Sequence, residues 1–233
     1  MTKLLQIQLL IGLALIVGCQ QSPPRKPRPI EASISEQIET VRNGTRSSIR
    51  LLETQVEDDE LAQLADLSGL EELIVDHGVV TDEGLQSIAS LTKLRHVRLR
   101  KSPITDTGLA HLAQIPSLRV INIPHGEFTD EGIRLLKSLP SLEQLRLSSP
   151  NVSDKSLAAM IEFPNLRRLH LIDVNITDAG LLHVTQMEKL ESFYLDGASV
   201  SHEAIVGLFD ARPDLHIHLD QKHHDRDPNA HAH

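Results

Sequence analysis

"LRHVRLRKSPITDTGLAHLAQI", Leu94 to Ile115, changes rhythm partway along. In its first part Val97 and Leu99 alternate with His96, Arg98 and Arg100, the two-residue period of a strand with one buried face. From Leu109 the apolar residues Leu109, Leu112 and Ile115 recur at helical spacing instead. Between the two rhythms stands Asp106-Thr107-Gly108, the tripeptide that marks the active site of aspartic proteases. Whether it is catalytic here depends on what surrounds it.

What surrounds it is repetition. Leu70, Leu94, Leu118, Leu142, Leu166 and Leu190 lie 24 residues apart without a slip. Leu73, Val97, Ile121, Leu145, Leu169 and Phe193 keep the same register, as do Val75, Leu99, Ile123, Leu147, Leu171 and Leu195. A fourth apolar column runs Val80, Ile104, Phe128, Val152, Ile176 and Val200, and a worn earlier copy fits through Ile49, Leu51, Val56, Leu61, Leu64 and Leu67. Fixed periods of about 20 to 29 residues with this leucine spacing indicate a solenoid.

Asp106-Thr107-Gly108 is therefore one copy of a corner. Its equivalents are Thr81-Asp82-Glu83-Gly84, Thr129-Asp130-Glu131-Gly132, Ser153-Asp154-Lys155-Ser156 and Thr177-Asp178-Ala179-Gly180. Position 107 varies freely among them, and an aspartic protease needs two matched Asp-Thr-Gly loops where this chain has one. The hydroxyl and carboxylate suit a helix start: a side-chain oxygen accepts from the orphan backbone N–H groups, and the negative charge favours the positive end of the helix dipole.

A strand, a corner and a short helix in 24 residues make one coil. Stacked coils predict an α/β solenoid of about seven coils over 46–220, with a parallel sheet on the concave side and helices on the convex side. No coil buries its apolar face alone, so both ends need caps. Ile30, Ile34, Ile38 and Val41 share a helical face that stops at Asn43-Gly44, which makes 31–45 the N-terminal cap candidate. Leu215, Ile217 and Leu219, after a one-residue insertion, are the expected last strand.

These residues resemble the leucine-rich repeat family, in particular the subclass patterned L-x-x-L-x-L-x-x-x-x-[IV]-T-D-x-G-L found in substrate-receptor proteins and many bacterial surface lipoproteins. The chain departs from it twice. The column that usually holds Asn, Thr or Cys carries Gly78, Ser102, Gly126, Pro150, Val174 and Ala198, which predicts that backbone or water satisfies the turn amides. The sixth corner reads Ser201-His202-Glu203-Ala204, a worn terminal coil. The resemblance implies a non-catalytic module that binds a protein on its concave face.

Taken coil by coil, the outward strand positions give the candidate partner-binding residues His96, Arg98, Arg100, Lys101, Asn122, Arg146, Arg168, His170 and Tyr194. Arg98, Arg100, Lys101, Arg146 and Arg168 form a basic middle, set against Asp173 alone. One reading is a docking patch for an acidic partner, with arginine and tyrosine anchors. The other is a solvated charged face that keeps the sheet soluble.

Composition agrees with a repeat. The 233 residues are 40% hydrophobic, yet contain only four Phe, one Tyr and no Trp, so the core must come from many small leucine layers. A net charge of -9 argues against a general nucleic-acid binder.

The N-terminus reads as an address. Lys3, an apolar run from Leu4 to Val17, and Ile16-Val17-Gly18 before the only cysteine, Cys19, are similar to a bacterial lipoprotein signal. That resemblance implies cleavage after residue 18, acylation of Cys19 and a lipid-anchored place in the bacterial cell envelope. Gln20 after the cysteine suggests the outer membrane. With one cysteine no intramolecular disulfide can form. Pro23, Pro24, Pro27 and Pro29 predict an extended tether over 19–30.

The C-terminus holds six of the thirteen histidines. His216 and His218 alternate on the last strand, and His223 and His224 follow. Residues 221–233 are expected to be a loose His-rich tail. Imidazoles of this kind take divalent metals weakly, the only cofactor the sequence suggests, and a metal-sequestering surface protein is one alternative function. The sequons at Asn151 and Asn175 would matter only in a eukaryotic host. No phosphate-binding loop, H-E-x-x-H or nucleophile elbow is present, so no enzyme is expected. A ubiquitin-ligase substrate receptor, the remaining alternative, would need an adaptor-binding domain before the repeats, and 26–45 is too short for one.

Overall fold

The computed structural model describes residues 31–220 and the backbone of 222–223. The expected signal 1–18, Cys19, the tether 19–30 and most of the tail, including His224 and the His223 side chain, lie outside the described residues. The elements are α1 (Ile34–Arg42), β1 (Ser48–Val56), α2 (Asp58–Ala62), β2 (Glu72–Gly78), α3 (Asp82–Ile88), β3 (His96–Leu99), α4 (Asp106–Leu112), β4 (Val120–Ile123), α5 (Asp130–Leu135), β5 (Gln144–Ser148), α6 (Asp154–Met160), β6 (Arg168–Ile172), α7 (Asp178–Val184), β7 (Ser192–Asp196), α8 (His202–Ala211), β8 (His216–Leu219) and β9 (Lys222–His223).

Strands β1 to β8 pair in parallel and in chain order within one sheet. The 24-residue period is the sheet register: Leu73 pairs with Val97, Val97 with Ile121, Ile121 with Leu145, Leu145 with Leu169, and Leu169 with Phe193. The one irregularity lies in the worn copy, between Leu51 and Gln55. Each coil drives its apolar set inward. Leu94, Val97, Leu99, Ile104, Leu109, Leu112 and Ile115 are all fully buried and belong to one core that runs the length of the solenoid. Burying such a side chain favours folding by about 1.5 to 3 kcal/mol.

Side chains close the sheet edge at the N-terminal end. Helix α1 starts with a Ser33–Glu36 capping box and buries Ile38 and Val41. Its buried Gln37 treats β1 as a neighbouring strand would: its Nε2 donates to the Arg50 carbonyl at 2.9 Å and its Oε1 accepts from the Arg50 N–H at 2.8 Å. The Glu31 carboxylate accepts from the N–H groups of Leu52 and Glu53, each at 2.7 Å. An edge that would otherwise template another strand is thus occupied. At the other end the buried Arg212 donates to the carbonyls of Met187 and Leu190, both at 2.8 Å, and pairs with Asp214. Leu215 and Ile217 are fully buried beneath β8. Strand β8 is the last parallel strand but not the sheet edge, because β9 adds to it antiparallel beyond residue 220.

The corner explains Asp-Thr-Gly. Thr105 caps α4 in extended conformation, its hydroxyl accepting from the Thr107 N–H at 3.3 Å. The carboxylate of Asp106 does more than favour a dipole, which is all its sequence position suggests. It reaches the next coil, where it accepts from the Thr129 N–H and the Thr129 hydroxyl, both at 2.7 Å. The pattern recurs from Asp58 to Thr81, Asp82 to Thr105, Asp130 to Ser153 and Asp154 to Thr177. Asp178 accepts from the Ser201 N–H at 2.6 Å. The result is a ladder of charge-assisted hydrogen bonds that clamps coil to coil.

The corner glycine makes room for that carboxylate. A Cβ on Gly108 would lie 2.3 Å from Asp82 Oδ1, and one on Gly180 2.2 Å from Asp154 Oδ1. Where the column holds Ser156 instead, its hydroxyl donates to Asp130 Oδ1. In the column without Asn, Thr or Cys, backbone carbonyls serve the turn amides: Gly78 N–H bonds the Arg100 carbonyl at 3.1 Å and Gly126 N–H the Ser148 carbonyl at 2.9 Å.

Candidate functional site

The strand residues opposite the core form three rows across the open, concave face of the sheet. Parallel register fixes the middle row as Arg50, Ile74, Arg98, Asn122, Arg146, His170, Tyr194 and His218. Neighbouring strands are about 4.8 Å apart, so successive members of a row are side-chain neighbours. On one flank lie Glu72, His96, Val120, Gln144, Arg168, Ser192 and His216. On the other lie Asp76, Arg100, Ser148, Ile172 and Asp196.

The basic middle is less bare than a count of outward charges suggests. Setting its arginines against Asp173 alone is incorrect. Asp76 pairs with Arg98 at 2.7 Å and lies 3.8 Å from Arg100. The period itself carries this signal, since residue 76 plus 24 is 100, and Arg98 is one outward position away. His96 Nδ1 meets Glu72 Oε2 at 3.1 Å, and Glu72 also takes Arg50. Asp173 stands at the strand end in the left-handed region, at φ 50°, its N–H donating to the Asp196 carbonyl. Lys101 adopts the same conformation at φ 61° and turns its ammonium toward His77 Nδ1, 3.2 Å away.

Arg146, like Arg168 and Lys101, is a cation of this face without a carboxylate at ion-pair distance among the described residues. It has no ion pair among the described residues, and its Nε is buried and without a hydrogen-bond partner. Burial, then the positive charges of Arg100 and Arg98, lower its pKa, while Asp196 acts in the opposite sense. Arg98 Nε and Asn122 Oδ1, adjacent along the row, are likewise buried without a partner. An unsatisfied buried polar atom costs about 1 to 3 kcal/mol, so the two Nε–H groups lack an acceptor and Asn122 Oδ1 lacks a donor at some expense to the fold. Arg146 and Asn122 line a shallow depression with Val120, Gln144, His170 and Tyr194. Arg168 is exposed beside it. His125, at the rim, has its pKa lowered by burial and by Arg100, Arg146 and Lys101.

The far half of the row is aromatic. His170 Nε2 meets Asp196 Oδ2 at 2.9 Å, yet burial and Arg146 leave the ring's pKa below the usual histidine value. The Tyr194 ring lies between His170 and His218, its centroid 5.4 Å and 4.5 Å from theirs. Eight of the nine sequence candidates lie in these three rows and split into an ion-paired part at His96, Arg98 and Arg100, an uncompensated part at Asn122, Arg146 and Arg168, and an aromatic part at His170 and Tyr194, while Lys101 stands beyond the end of β3. His216 and His218 extend that aromatic part; the His223 side chain and His224 are outside the described residues.

A Leucine Rich repeat family model matches residues 70–89 and 90–113. No curated protein matches the chain. Among solved structures, internalin C2 from Listeria monocytogenes superimposes with a TM-score of 0.55 at 17% identity, over 73% of this chain and 69% of that one. A second internalin of the same organism gives 0.51 at 21% identity, over 68% of this chain and about half, 52%, of its own length. At these identities the likeness is one of fold. Period, parallel register and matched repeats together give the chain the fold of a leucine-rich repeat solenoid.

Proposed function

We propose that the protein is a lipid-anchored, non-catalytic binding module of the bacterial cell envelope that holds an acidic segment of a partner protein on the concave face. The observation that carries the partner half is Arg146, a half-buried guanidinium with cationic neighbours, no ion pair among the described residues and an adjacent unsatisfied Asn122 carbonyl. A carboxylate seated there would supply Arg146 with its missing counter-charge and acceptor, while Asn122 Oδ1, itself an acceptor, calls for a donor such as a backbone N–H of the same segment. Tyr194 and His170, next along the row, offer flat surfaces to the apolar part of the same segment. Nucleic acid fits poorly, because Asp76, Glu72 and Asp196 interrupt the positive charge. The anchor half rests on the sequence: the Lys3 start, the apolar run and Cys19 followed by Gln20 point to acylation and an outer-membrane place.

Calorimetry with a glutamate-rich peptide and its glutamine-substituted twin tests the partner half. The acidic peptide alone should bind, more weakly at high salt, and Arg146→Glu should abolish the heat. Equal binding of the twins would overturn the reading. For the anchor, Cys19→Ser should leave an unprocessed precursor.

A further inference from the structure

His216 and His218 stand two residues apart on β8 and so project from the same side of the strand. Their imidazole Nε2 atoms are 2.8 Å apart. The rings meet edge to face, with centroids 4.5 Å apart and planes at 70°. Tyr194 walls the pair on the β7 side, tilted against His218 at 4.5 Å and edge-on to His216 at 5.8 Å. His216 is buried, whereas His218 is half-exposed and leaves the pair an approach from solvent.

Two ring nitrogens this close cannot both carry a proton, since one must offer a lone pair to the other. A divalent ion can replace the shared proton and accept a lone pair from each neutral ring. Separation decides which ion fits. Nitrogens about 2.0 Å from one centre lie about 2.8 Å apart at a right angle and about 3.3 Å apart at a tetrahedral angle. The observed 2.8 Å is the hydrogen-bond distance of the metal-free rings, and it coincides with the right-angled separation of adjacent ligands on tetragonal copper(II) or nickel(II). Tetrahedral zinc would need the rings to spread by about 0.5 Å against the Tyr194 wall.

We infer that His216 and His218 form a two-imidazole chelate for Cu²⁺ or Ni²⁺ at the C-terminal end of the concave face. Among the described residues no group of three or more His, Cys, Asp or Glu able to hold a metal occurs, so of these only the two imidazoles are offered as ligands. The site belongs to the folded strand and does not depend on the later histidines His223, His224, His231 and His233.

The test uses the full chain in detergent, with and without glutamine at those four later histidines. In both, calorimetry should record one equivalent of Ni²⁺, and pulsed EPR of the Cu²⁺ form should show two coordinated imidazoles. Adding His218→Gln should weaken Ni²⁺ binding at least tenfold while the thermal melt stays in place. The inference is overturned if the tail substitutions abolish the stoichiometric site or if His218→Gln leaves it intact. Should His218→Gln unfold the chain, the imidazole count from EPR on the tail-substituted protein decides: two supports the site, one or none refutes it.

Discussion

The corner ladder and the middle row of the concave face both set polar side chains in coil after coil, and they treat them in opposite ways. In the corners the 24-residue period holds: an aspartate answers a threonine or serine in coil after coil, and both carboxylate oxygens of Asp106 are occupied by Thr129. Along the middle row the period breaks, and no two neighbours among Arg98, Asn122, Arg146, His170, Tyr194 and His218 are the same residue. Where chemistry repeats, each coil is the partner of the next and nothing is left for a ligand. Where it changes from strand to strand, neighbours do not match, and buried atoms such as Asn122 Oδ1 and Arg146 Nε go without a partner. The proposed binding surface sits where the repeat is violated.

If the corners are purely structural, damage to them should register as stability and nothing else. Leu109→Ala removes a fully buried side chain from the helix that closes one coil and should cost about 2 to 5 kcal/mol. Asp106→Ala strips two charge-assisted acceptors from Thr129 and should cost about 1 to 3 kcal/mol. That exceeds the helix-dipole effect alone, about 0.3 to 1 kcal/mol. Denaturant titration of both variants ranks them, with a casein digest at acidic pH alongside. A ladder aspartate whose loss costs nothing, or a wild type that cleaves casein, would erase the contrast between the two regions.

Acid sharpens the same contrast at a smaller scale. Burial pushes the Asp130 carboxyl up, but hydrogen bonds from the Ser153 and Ser156 hydroxyls and the Ser153 N–H outweigh it and leave the pKa below the ordinary aspartate value. A folded pKa below the unfolded one means that the carboxylate contributes stability at neutral pH. That contribution is lost as the pH falls below the ordinary aspartate value and through the lower folded one. Ser156→Ala removes one donor and brings the folded pKa back toward the unfolded one. The variant should therefore melt lower than wild type at neutral pH, with the gap narrowing in acid. A gap that stays constant with pH would show that Ser156 acts through packing and not through the Asp130 charge.

How far the sequence could be read follows the same line. Buried columns such as Leu94, Val97 and Leu99 are legible because a period of two or 3.6 reports burial within one coil. Thr105 is legible as a cap for the same reason, its partner being two residues away. The second half of the corner is not, because the partner of Asp106 lies 23 residues on and the contact exists only once coils stack in register. Asp76 is visible as an outward residue, but its hold on Arg98 is a diagonal contact that reading each coil by itself misses. Gln37 is hidden more deeply. In a helix recognised by Ile34, Ile38 and Val41 it reads as a polar filler, whereas in the fold it hydrogen-bonds both backbone groups of Arg50 at the sheet edge.

The smallest expected change in stability carries the most information about function. Arg146 spends its burial on no partner: desolvation and the charges of Arg100 and Arg98 both disfavour its cationic form, and no carboxylate lies within ion-pair distance among the described residues. Replacing it by methionine keeps much of the stem that packs over the sheet and removes the charge and the orphaned Nε. Arg146→Met should therefore melt within about 0.5 kcal/mol of wild type, the range of ordinary surface changes, or slightly above it. The same variant should bind the glutamate-rich peptide at least tenfold more weakly, since a charge-assisted hydrogen bond contributes about 1.5 to 3 kcal/mol. Arg98→Met is the control, because it breaks the shorter of the two pairs of Asp76 and leaves that carboxylate only Arg100 at 3.8 Å, so it should destabilise the fold. Had Arg146 been one more structural charge, the two variants would lose stability together and peptide binding would track the melting temperature. A variant that folds as well as wild type and no longer binds separates a residue held for a ligand from one held for the fold.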